Sequence, residues 1–282
     1  MTRGVRDRLA ALDPGPRLAS LEREVRALSQ RLGGLRRVER YETAHVRAGR
    51  LDYEHAEIFM RLGSFPEFQR LRSCHSEPWT VQWIEEWVQP GEVFYDIGAN
   101  VGAYTLVAAL SPRSQARVVA FEPVAVNYAA LTENVVLNGA ADRITPLPVA
   151  LDDSTRLETL HLRILDAGGA RHTLGSPADA DRAMHPQPVL TFRLDELIEH
   201  MQLPRPAHIK LDVDGSEAAV LRGAERSLAD PGLRSVLCEL DHDAADSIVE
   251  LLSTSGFALR ERFQRQKPGP EQPPAYGLFA RD

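Results

Sequence analysis

Cysteine is scarce in this chain of 282 residues, which contains only two, Cys74 and Cys238. Two thiols so far apart provide neither a disulfide framework nor the paired spacing of a structural zinc site. This excludes the class of small secreted domains held together by disulfides. Cys238 stands in an apolar run, and we expect it to be a small core residue.

Long apolar runs are also absent. No stretch approaches the roughly 18 consecutive apolar residues that a membrane-spanning helix needs, and the first residues contain no apolar run of signal-peptide length. We therefore predict a cytoplasmic protein without a transmembrane segment. With 43% hydrophobic residues, the chain can still bury one sizeable core.

A net positive charge is found only at one end of the chain. The net charge is -7, yet residues 1–50 carry twelve arginines against six acidic residues. The remainder is correspondingly acidic, which makes it a poor surface for a polyanion. We expect no nucleic-acid partner.

Residues 1–50 form a separate segment in the sequence pattern. Apolar residues recur at spacings of three and four from Leu18 to Leu35, which is typical of a short coiled coil. We predict an N-terminal helical extension that pairs with a second copy, or docks on this protein's own body or on a partner. Residues 51–282 are predicted to form one α/β domain.

The stretch around which that domain is organised is residues 93–105. Val93–Ile97 is predicted to be a buried parallel strand that carries Asp96 near its end. A turn from Gly98 to Gly102 then leads directly into an apolar helix pattern. Such a strand, turn and helix is the usual cradle for a nucleotide-like ligand at the carboxyl end of a strand. We predict that Asp96, Gly98, Asn100 and Gly102 contact a cofactor.

Two cofactors compete for such a turn. The dinucleotide fingerprint requires a second glycine for close approach of the pyrophosphate, and Asn100 occupies that place. An adenosine that carries a sulfonium amino acid, S-adenosylmethionine, fits the turn better.

The next predicted strand ends in an acid. Arg117–Phe121 is apolar apart from its first residue, and Glu122 and Pro123 follow it. Glu122 lies about 20 residues beyond the glycine turn, where an acid can bind both ribose hydroxyls of a nucleoside. We predict Glu122 and Pro123 to be cofactor contacts.

A third strand is predicted over residues 144–151, followed by Asp152, which either reaches an adenine amine or forms a plain Asx turn. The regular alternation of strand and helix then lapses over residues 155–206. An insertion of this length is usually functional. We predict a hairpin and loop that shape an acceptor pocket, with Arg171 and His172 as its polar contacts.

A second group of candidate site residues, all acidic, follows the fourth predicted strand, residues 207–211. Asp212, Asp214 and Glu217 lie within six residues at a strand end, where α/β sheets bind ligands. Helix capping explains part of this pattern but does not need all three acids. We predict that Asp214 and Glu217 contact the substrate.

The fifth predicted strand also has candidate site residues at its end, Glu239 and His242. Asp212, Glu239 and His242 can converge as a general base with its orienting partners, or as ligands of a divalent cation. A cation is possible but not expected, because a sulfonium cofactor attracts acids without any metal. Two closing strands, antiparallel to each other, complete a predicted α/β fold with a mostly parallel seven-stranded sheet and helices on both faces.

These motifs together resemble the FkbM family of S-adenosylmethionine-dependent methyltransferases. The matching segments are Asp96–Gly102, Phe121–Pro123, Leu137–Asn138, Leu194–Leu197, Ile209–Glu217 and Val220–Ala224. Asp214 departs from the pattern, since the family usually has Glu there, and the shorter side chain shifts its reach.

The resemblance implies a Rossmann-like class I methyltransferase. It also implies O-methylation of a hydroxyl on a sugar, glycolipid or secondary metabolite, so that a small-molecule or glycan acceptor is the expected partner. Asp212 is then the best candidate for the base that removes the hydroxyl proton, with Glu239 or His242 assisting.

Two other functions share much of this pattern. An NAD-dependent oxidoreductase has the same strand, glycine turn and acid, but requires the glycine that Asn100 replaces. A non-catalytic partner subunit that binds a nucleoside keeps the fold and needs none of the acids at residues 212–217.

Overall fold

The computed structural model describes residues 47–170, 172–175, 185–241, 244–264 and 273–281. Among these, seven strands form one sheet in the spatial order β12-β13-β11-β10-β3-β4-β5. Their bounds are β3 Val93–Ile97, β4 Arg117–Phe121, β5 Ile144–Leu147, β10 His208–Leu211, β11 Ser235–Leu240, β12 Ala258–Gln264 and β13 Ala275–Ala280.

The sheet is mostly parallel. β3 pairs in parallel with β4 and β10, and β10 pairs in parallel with β11, while β13 lies antiparallel between β11 and β12. The chain order therefore reverses at β3, from which strands extend to both sides. Ligands of open α/β sheets bind at such a switch point. The predicted mostly parallel sheet and antiparallel closing strands are confirmed.

Helices cover both faces of this sheet because its strands are apolar on both sides. Phe94 packs with helices on one face, whereas the adjacent Tyr95 packs with helices on the other. The helices on the first face are α3 Pro78–Trp87, α4 Ala103–Leu110 and α5 Ala125–Leu137. Those on the second face are α6 Leu194–Met201, α7 Glu217–Arg222, α8 Glu225–Ala229 and α9 Ala245–Thr254. Cys238 is fully buried in the second core, as predicted.

Two short helices and a hairpin precede the sheet. They are β1 Ala48–Arg50, β2 Phe59–Arg61, α1 Phe65–Arg70 and α2 Ser73–Ser76. Two asparagines at the end of α5 hold the hairpin: Asn134 Oδ1 accepts from the Arg61 amide at 2.7 Å, and Oδ1 of Asn138, which caps the helix, accepts from the Phe59 amide at 2.9 Å. The lead-in is thereby fixed to the helix that follows Glu122.

The third predicted strand is two strands in different sheets, so its prediction as one element is wrong. β5 ends at Leu147, and β6 Ala150–Leu151 pairs in parallel with the end of β9 His185–Phe192. Pro148 lies between them and cannot donate to a ladder, so pairing with β4 ends there. Pro146 is tolerated inside β5 because β5 is an edge strand.

The segment predicted as an insertion builds a second sheet in the order β6-β9-β7-β8. Its other strands are β7 Arg156–Leu162, β8 Thr173–Leu174 and β9 His185–Phe192, and both β8 and β9 pair antiparallel with β7. The predicted hairpin is therefore present as β7 and β9. From α6 onward the chain returns to the main sheet.

The predicted coiled-coil helix between Leu18 and Leu35 lies outside the described residues. Within the parts of the chain that are described, no helix combines the length and apolar character needed to cross a membrane.

Candidate active site

Gly98 adopts a left-handed backbone conformation, φ 83°, directly after β3. A Cβ at this position would lie 1.8 Å from the carbonyl oxygen of Asp212, so no other residue fits. Asn100 also has a positive φ, 53°, a conformation that asparagine tolerates better than most residues. Asn100 thus meets the backbone demand of the turn without being glycine.

Gly102 begins α4 and serves packing. Its φ is 89°, and a Cβ there would lie 2.5 Å from Leu131 Cδ1 of α5. A side chain at position 102 would therefore require Leu131 to shift, in addition to a strained backbone conformation. It does not line the cavity described below.

Glu122 is buried beside the glycine turn. Its Oε2 accepts from the Asn100 amide at 2.7 Å, and its Oε1 accepts from the Val124 amide at 2.9 Å. Burial raises the pKa of the carboxyl group to about 7, despite the opposing effect of these amides. The acid is thus fixed by the backbone of the turn and of the start of α5.

The loop between β7 and β8 is joined to the same turn. Asn100 Nδ2 donates to the Gly169 carbonyl at 2.7 Å, and the Gly168 amide donates to Asn127 Oδ1 at 2.8 Å. Ser64 Oγ donates to the Ala167 carbonyl at 2.6 Å from the lead-in. The glycine turn, the second sheet and the lead-in therefore meet at one place.

A cavity of about 520 Å³ opens at the carboxyl ends of β3, β4, β10 and β11. Eight of the predicted site residues line it: Gly98, Asn100, Glu122, Pro123, His172, Asp212, Asp214 and Glu239. The fold thus brings together predicted site residues that are up to 141 positions apart in the sequence, from Gly98 to Glu239.

Four predicted residues do not line this cavity. Besides Gly102, they are Asp96, Asp152 and Glu217. Asp152 pairs with Arg156 at 2.8 Å, and Glu217 Oε1 accepts from the Val213 amide at 2.8 Å. Glu217 therefore fixes the turn that carries Asp212 and Asp214. The remaining two candidates, Arg171 and His242, lie outside the described residues.

Asp96 belongs to a buried polar cluster beneath the cavity. It accepts from Thr105 Oγ1 at 2.6 Å, and its Oδ1 lies 4.0 Å from Lys210 Nζ. Burial raises the pKa of Asp96, and Lys210 opposes that shift. A carboxylate buried this deeply is stable only because a cation lies near it.

Lys210 connects that cluster to the cavity. Its Nζ donates to Asp212 Oδ2 at 2.9 Å and is itself buried. Burial disfavours the ammonium charge, but Asp212 and Asp96 outweigh this effect, and the pKa of Lys210 is raised. Tyr276 of β13 also donates to Asp212 Oδ2, at 3.1 Å.

These contacts leave the other oxygen of Asp212 available. No hydrogen bond from a described residue reaches Oδ1, and the side chain is 24% exposed. Burial works against ionisation of Asp212, but the adjacent Lys210 ammonium outweighs it and lowers its pKa. Asp212 is therefore a carboxylate at neutral pH, with one oxygen facing the cavity.

The pKa of Glu239 shifts in the opposite direction to that of Asp212. Burial and the negative charge of Asp212 raise the pKa of Glu239 to about 9. Two neighbouring carboxyl groups whose pKa values are driven apart can act as one proton acceptor and one proton donor. At neutral pH, Asp212 is the charged member of this pair and Glu239 the protonated one.

Lys210, Tyr276, Arg70 and Arg163 were missed as functional candidates. The signal for Lys210 was a cation inside an apolar strand, which requires a buried partner. Tyr276, Arg70 and Arg163 lie in elements whose position relative to the glycine turn is set by tertiary packing, and no local pattern indicates it.

The cavity suits S-adenosylmethionine on two grounds. Gly98 gives a backbone surface that no Cβ obstructs, and the carboxylates around it match a cation. Within the described ranges, no three acidic, histidine or cysteine side chains are arranged to hold a metal ion.

A strand, glycine turn and acid-ended strand around such a cavity define a nucleoside-binding α/β protein. The family model for the methyltransferase FkbM domain matches residues 96–261, and the chain belongs to this family.

The names of two relatives state an activity. The 31-O-demethyl-FK506 methyltransferase FkbM of Streptomyces tacrolimicus is 29% identical over 242 residues, covering 77% of this chain and 85% of that protein. The hexuronic acid methyltransferase AglP of Haloferax volcanii is 27% identical over 165 residues, covering 58% of this chain. That match spans 63% of AglP, slightly less than two thirds of its length.

A solved structure is also similar. Methyltransferase FkbM from Methylobacillus flagellatus is 17% identical, with a TM-score of 0.46, covering 77% of this chain and 56% of that one.

Proposed function

We propose that this protein is an S-adenosylmethionine-dependent O-methyltransferase that acts on a hydroxyl of a sugar, glycolipid or secondary metabolite. One observation carries the proposal: the acids that end β4, β10 and β11 line a single cavity beside the glycine turn. Membership of the FkbM family supports it. S-adenosylmethionine supplies an electrophilic methyl group on a positively charged sulfur.

Glu122 binds the ribose hydroxyls in this proposal. Its carboxylate is already held by the amides of Asn100 and Val124, so binding needs little reorganisation. The backbone from Gly98 to Gly102 holds the amino-acid portion. Pro123 and the apolar residues Val149 and Leu151 line the same cavity and offer a surface for the adenine.

Asp212 acts as the base. The acceptor oxygen would form its new bond to the methyl carbon as the bond from that carbon to the cofactor sulfur breaks. The electron pair of the broken bond would stay on sulfur, S-adenosylhomocysteine would leave, and the hydroxyl proton would pass to Asp212 Oδ1. A carboxylate with a lowered pKa is a weak base, so the transfer becomes favourable only as the hydroxyl gains acidity during bond formation. Lys210 and Tyr276 fix Oδ2 and thereby orient Oδ1.

The names of the relatives support a hydroxylated small-molecule or glycan acceptor. One acts on a demethylated FK506 and the other on a hexuronic acid. The residues that line the acceptor side come from the second sheet, where His172, Thr173 and Leu174 meet the cavity.

Calorimetric titration of chelator-treated protein with S-adenosylhomocysteine, beside NADH, tests the cofactor assignment. We expect S-adenosylhomocysteine alone to bind. Glu122→Ala should weaken that binding by about 10- to 100-fold, the effect of losing hydrogen bonds to a charged group. Glu86→Ala removes an exposed glutamate outside the cavity and should bind normally.

The outcomes separate the alternatives. Binding of NADH alone would indicate an oxidoreductase, and binding of neither compound would refute both enzyme assignments and leave a non-catalytic subunit. Unchanged binding by Glu122→Ala would refute the ribose assignment. Asp212→Asn should retain S-adenosylhomocysteine binding yet lose methyl transfer, because the amide cannot accept the proton.

A further inference from the structure

Two arginines line the cavity although neither belongs to the main sheet. Arg70 is the last residue of α1, and Arg163 directly follows β7. Both are half-buried. The cavity otherwise carries the acids Glu122, Asp212, Asp214, Glu239 and Asp241.

Neither guanidinium group is neutralised by a carboxylate in the described part of the chain. Arg70 Nε donates to the Gly168 carbonyl at 3.1 Å, which positions the side chain without balancing its charge. By contrast, Arg61 pairs with Glu67 at 2.7 Å and Arg156 with Asp152 at 2.8 Å. The charge of Arg70 helps to lower the pKa of Asp212, but the two side chains form no ion pair, so both cavity arginines can still bind an external anion.

The loop between β7 and β8 brings the two arginines to the same side of the cavity, because Arg163 begins this loop and Arg70 Nε donates to its Gly168 carbonyl at 3.1 Å. Burial lowers the pKa of His172, and the charges of Arg70 and Arg163 lower it further. Both guanidinium groups consequently lie within electrostatic reach of one imidazole. The imidazole is neutral at pH 7 and adds no charge of its own.

The hydrogen bonds of His172 indicate its tautomer. Nδ1 accepts from the Arg163 amide at 3.4 Å, so Nε2 carries the proton. Nε2 is buried, and no hydrogen bond to a described residue reaches it. The nearby Gly169 carbonyl favours the charged imidazole but does not form a bond of normal geometry with Nε2. A third donor without a partner thus lies beside the two guanidinium groups.

We propose that Arg70 and Arg163 form an anion subsite that binds an oxyanion group, a carboxylate or a phosphate, on the acceptor. This rests on the proposed methyltransferase function and names the substrate class. A guanidinium binds such groups through paired, charge-assisted hydrogen bonds.

The acids in the cavity give the subsite its selectivity. They disfavour an anion elsewhere in the cavity, and Asp214 lies at the edge of the subsite, because its Oδ2 accepts from the His172 amide at 3.3 Å. Among the described residues that line the cavity, Arg70 and Arg163 are the cations that can offset this repulsion. An acceptor held there by its anion is bound in one orientation, with its hydroxyl free to face Asp212. The carboxylate of the cofactor itself is the competing ligand, but the backbone of the glycine turn already serves the amino-acid portion.

The first test measures cofactor binding by the single variants Arg70→Gln and Arg163→Gln. Calorimetric titration with S-adenosylhomocysteine should give affinities within about twofold of the parent protein, like the control Arg205→Gln at an exposed position outside the cavity. A tenfold or greater loss in both variants would overturn the subsite, because the arginines would then bind the cofactor carboxylate.

The second test uses matched acceptors with radiolabelled S-adenosylmethionine. Methyl glucuronide and glucose 6-phosphate supply the two anions, and methyl glucoside is the neutral control. We expect kcat/KM to be about 10- to 100-fold higher for at least one anionic compound, with this advantage lost in the arginine variants and kept in Arg205→Gln.

The remaining outcomes distinguish the two proposals. A protein that binds S-adenosylhomocysteine but methylates methyl glucoside as well as the anionic compounds refutes the subsite alone. The same holds if saturation-transfer NMR detects no binding of either anion to the S-adenosylhomocysteine complex. Failure to bind S-adenosylhomocysteine refutes the methyltransferase function first.

Discussion

The backbone at Gly98 is the most constrained single position of the site. Two independent observations require glycine here. The backbone is left-handed, and a Cβ at this position would lie only 1.8 Å from the carbonyl oxygen of Asp212. The contact also joins the ends of β3 and β10 directly. Any side chain at position 98 must therefore displace the strand end that carries the proposed base.

Gly98→Ala should lower the free energy of unfolding by more than about 2 kcal/mol, since the left-handed conformation alone costs roughly 1–2 kcal/mol and the clash adds to it. Gly139→Ala is the matched control: its φ is 62°, but a Cβ there meets nothing within 4 Å. Urea unfolding of both variants checks this. Equal losses would show that backbone strain alone accounts for Gly98.

At the residue scale, the sequence predicted the groups that follow strand ends and missed those that support them. Glu122 and Asp212 each end an apolar run, so both position and chemistry were readable. Tyr276 reaches Asp212 only because β13 lies between β11 and β12. That strand order results from packing and has no local sequence signal.

At the scale of elements, the Leu194–Leu197 motif has a structural explanation. Asp195 is buried and fixes the start of α8: its carboxylate accepts from the Arg226 amide at 2.7 Å, the Ser227 amide at 2.9 Å and Ser227 Oγ at 2.6 Å. It thereby satisfies N-terminal donors that α8 cannot satisfy itself. The motif joins α6 to α8 and does not reach the cavity.

Asp195→Ala should lower the free energy of unfolding by roughly 2–4 kcal/mol, because several hydrogen bonds to a buried charge are lost. Affinity for S-adenosylhomocysteine should stay within twofold of the parent value. Glu196→Ala, at the adjacent and more exposed position, should change stability by no more than about 0.5 kcal/mol. Chemical denaturation together with calorimetry would decide; a weakened cofactor site in a stable Asp195 variant would contradict the structural role.

Elements were predicted well where their periodicity was unbroken, as in the strand before Gly98 and the helix ending near Asn138. The prediction of one strand over residues 144–151 failed because the apolar pattern continues while the pairing partner changes. Pro148 marked the boundary, but a proline at an edge strand is compatible with either outcome.

For the whole molecule, the acids of the cavity make stability depend on pH. The pKa of Glu239 is raised from 4.5 to about 9, so the folded state holds a proton that the unfolded state has lost. The proton on Glu239 therefore contributes its full stability below the pKa of this group in the unfolded state. That contribution is lost as the pH rises through its pKa in the folded state. Asp212 has the opposite sign, but its contribution is lost only in acid, below its ordinary value.

The free energy of unfolding of the ligand-free protein should fall by about 2 kcal/mol between pH 7 and pH 8.5, as expected for one proton over that interval. Glu239→Gln should remove most of this fall, whereas Glu261→Gln, on the exposed β12, should retain it. Urea unfolding at several pH values provides the comparison. Parallel curves for the parent and Glu239→Gln would contradict the raised pKa.

The position of β13 has a consequence for synthesis. A ribosome delivers β3, β4, β10 and β11 well before residues 275–280, yet β13 must enter between β11 and β12. Until then β11 exposes an unpaired apolar edge, which other chains can recognise. The hydroxyl of Tyr276 reaches Asp212 at the same step. A nascent chain therefore gains its finished sheet and the contact that orients the proposed base together, once residues 275–280 have been synthesised.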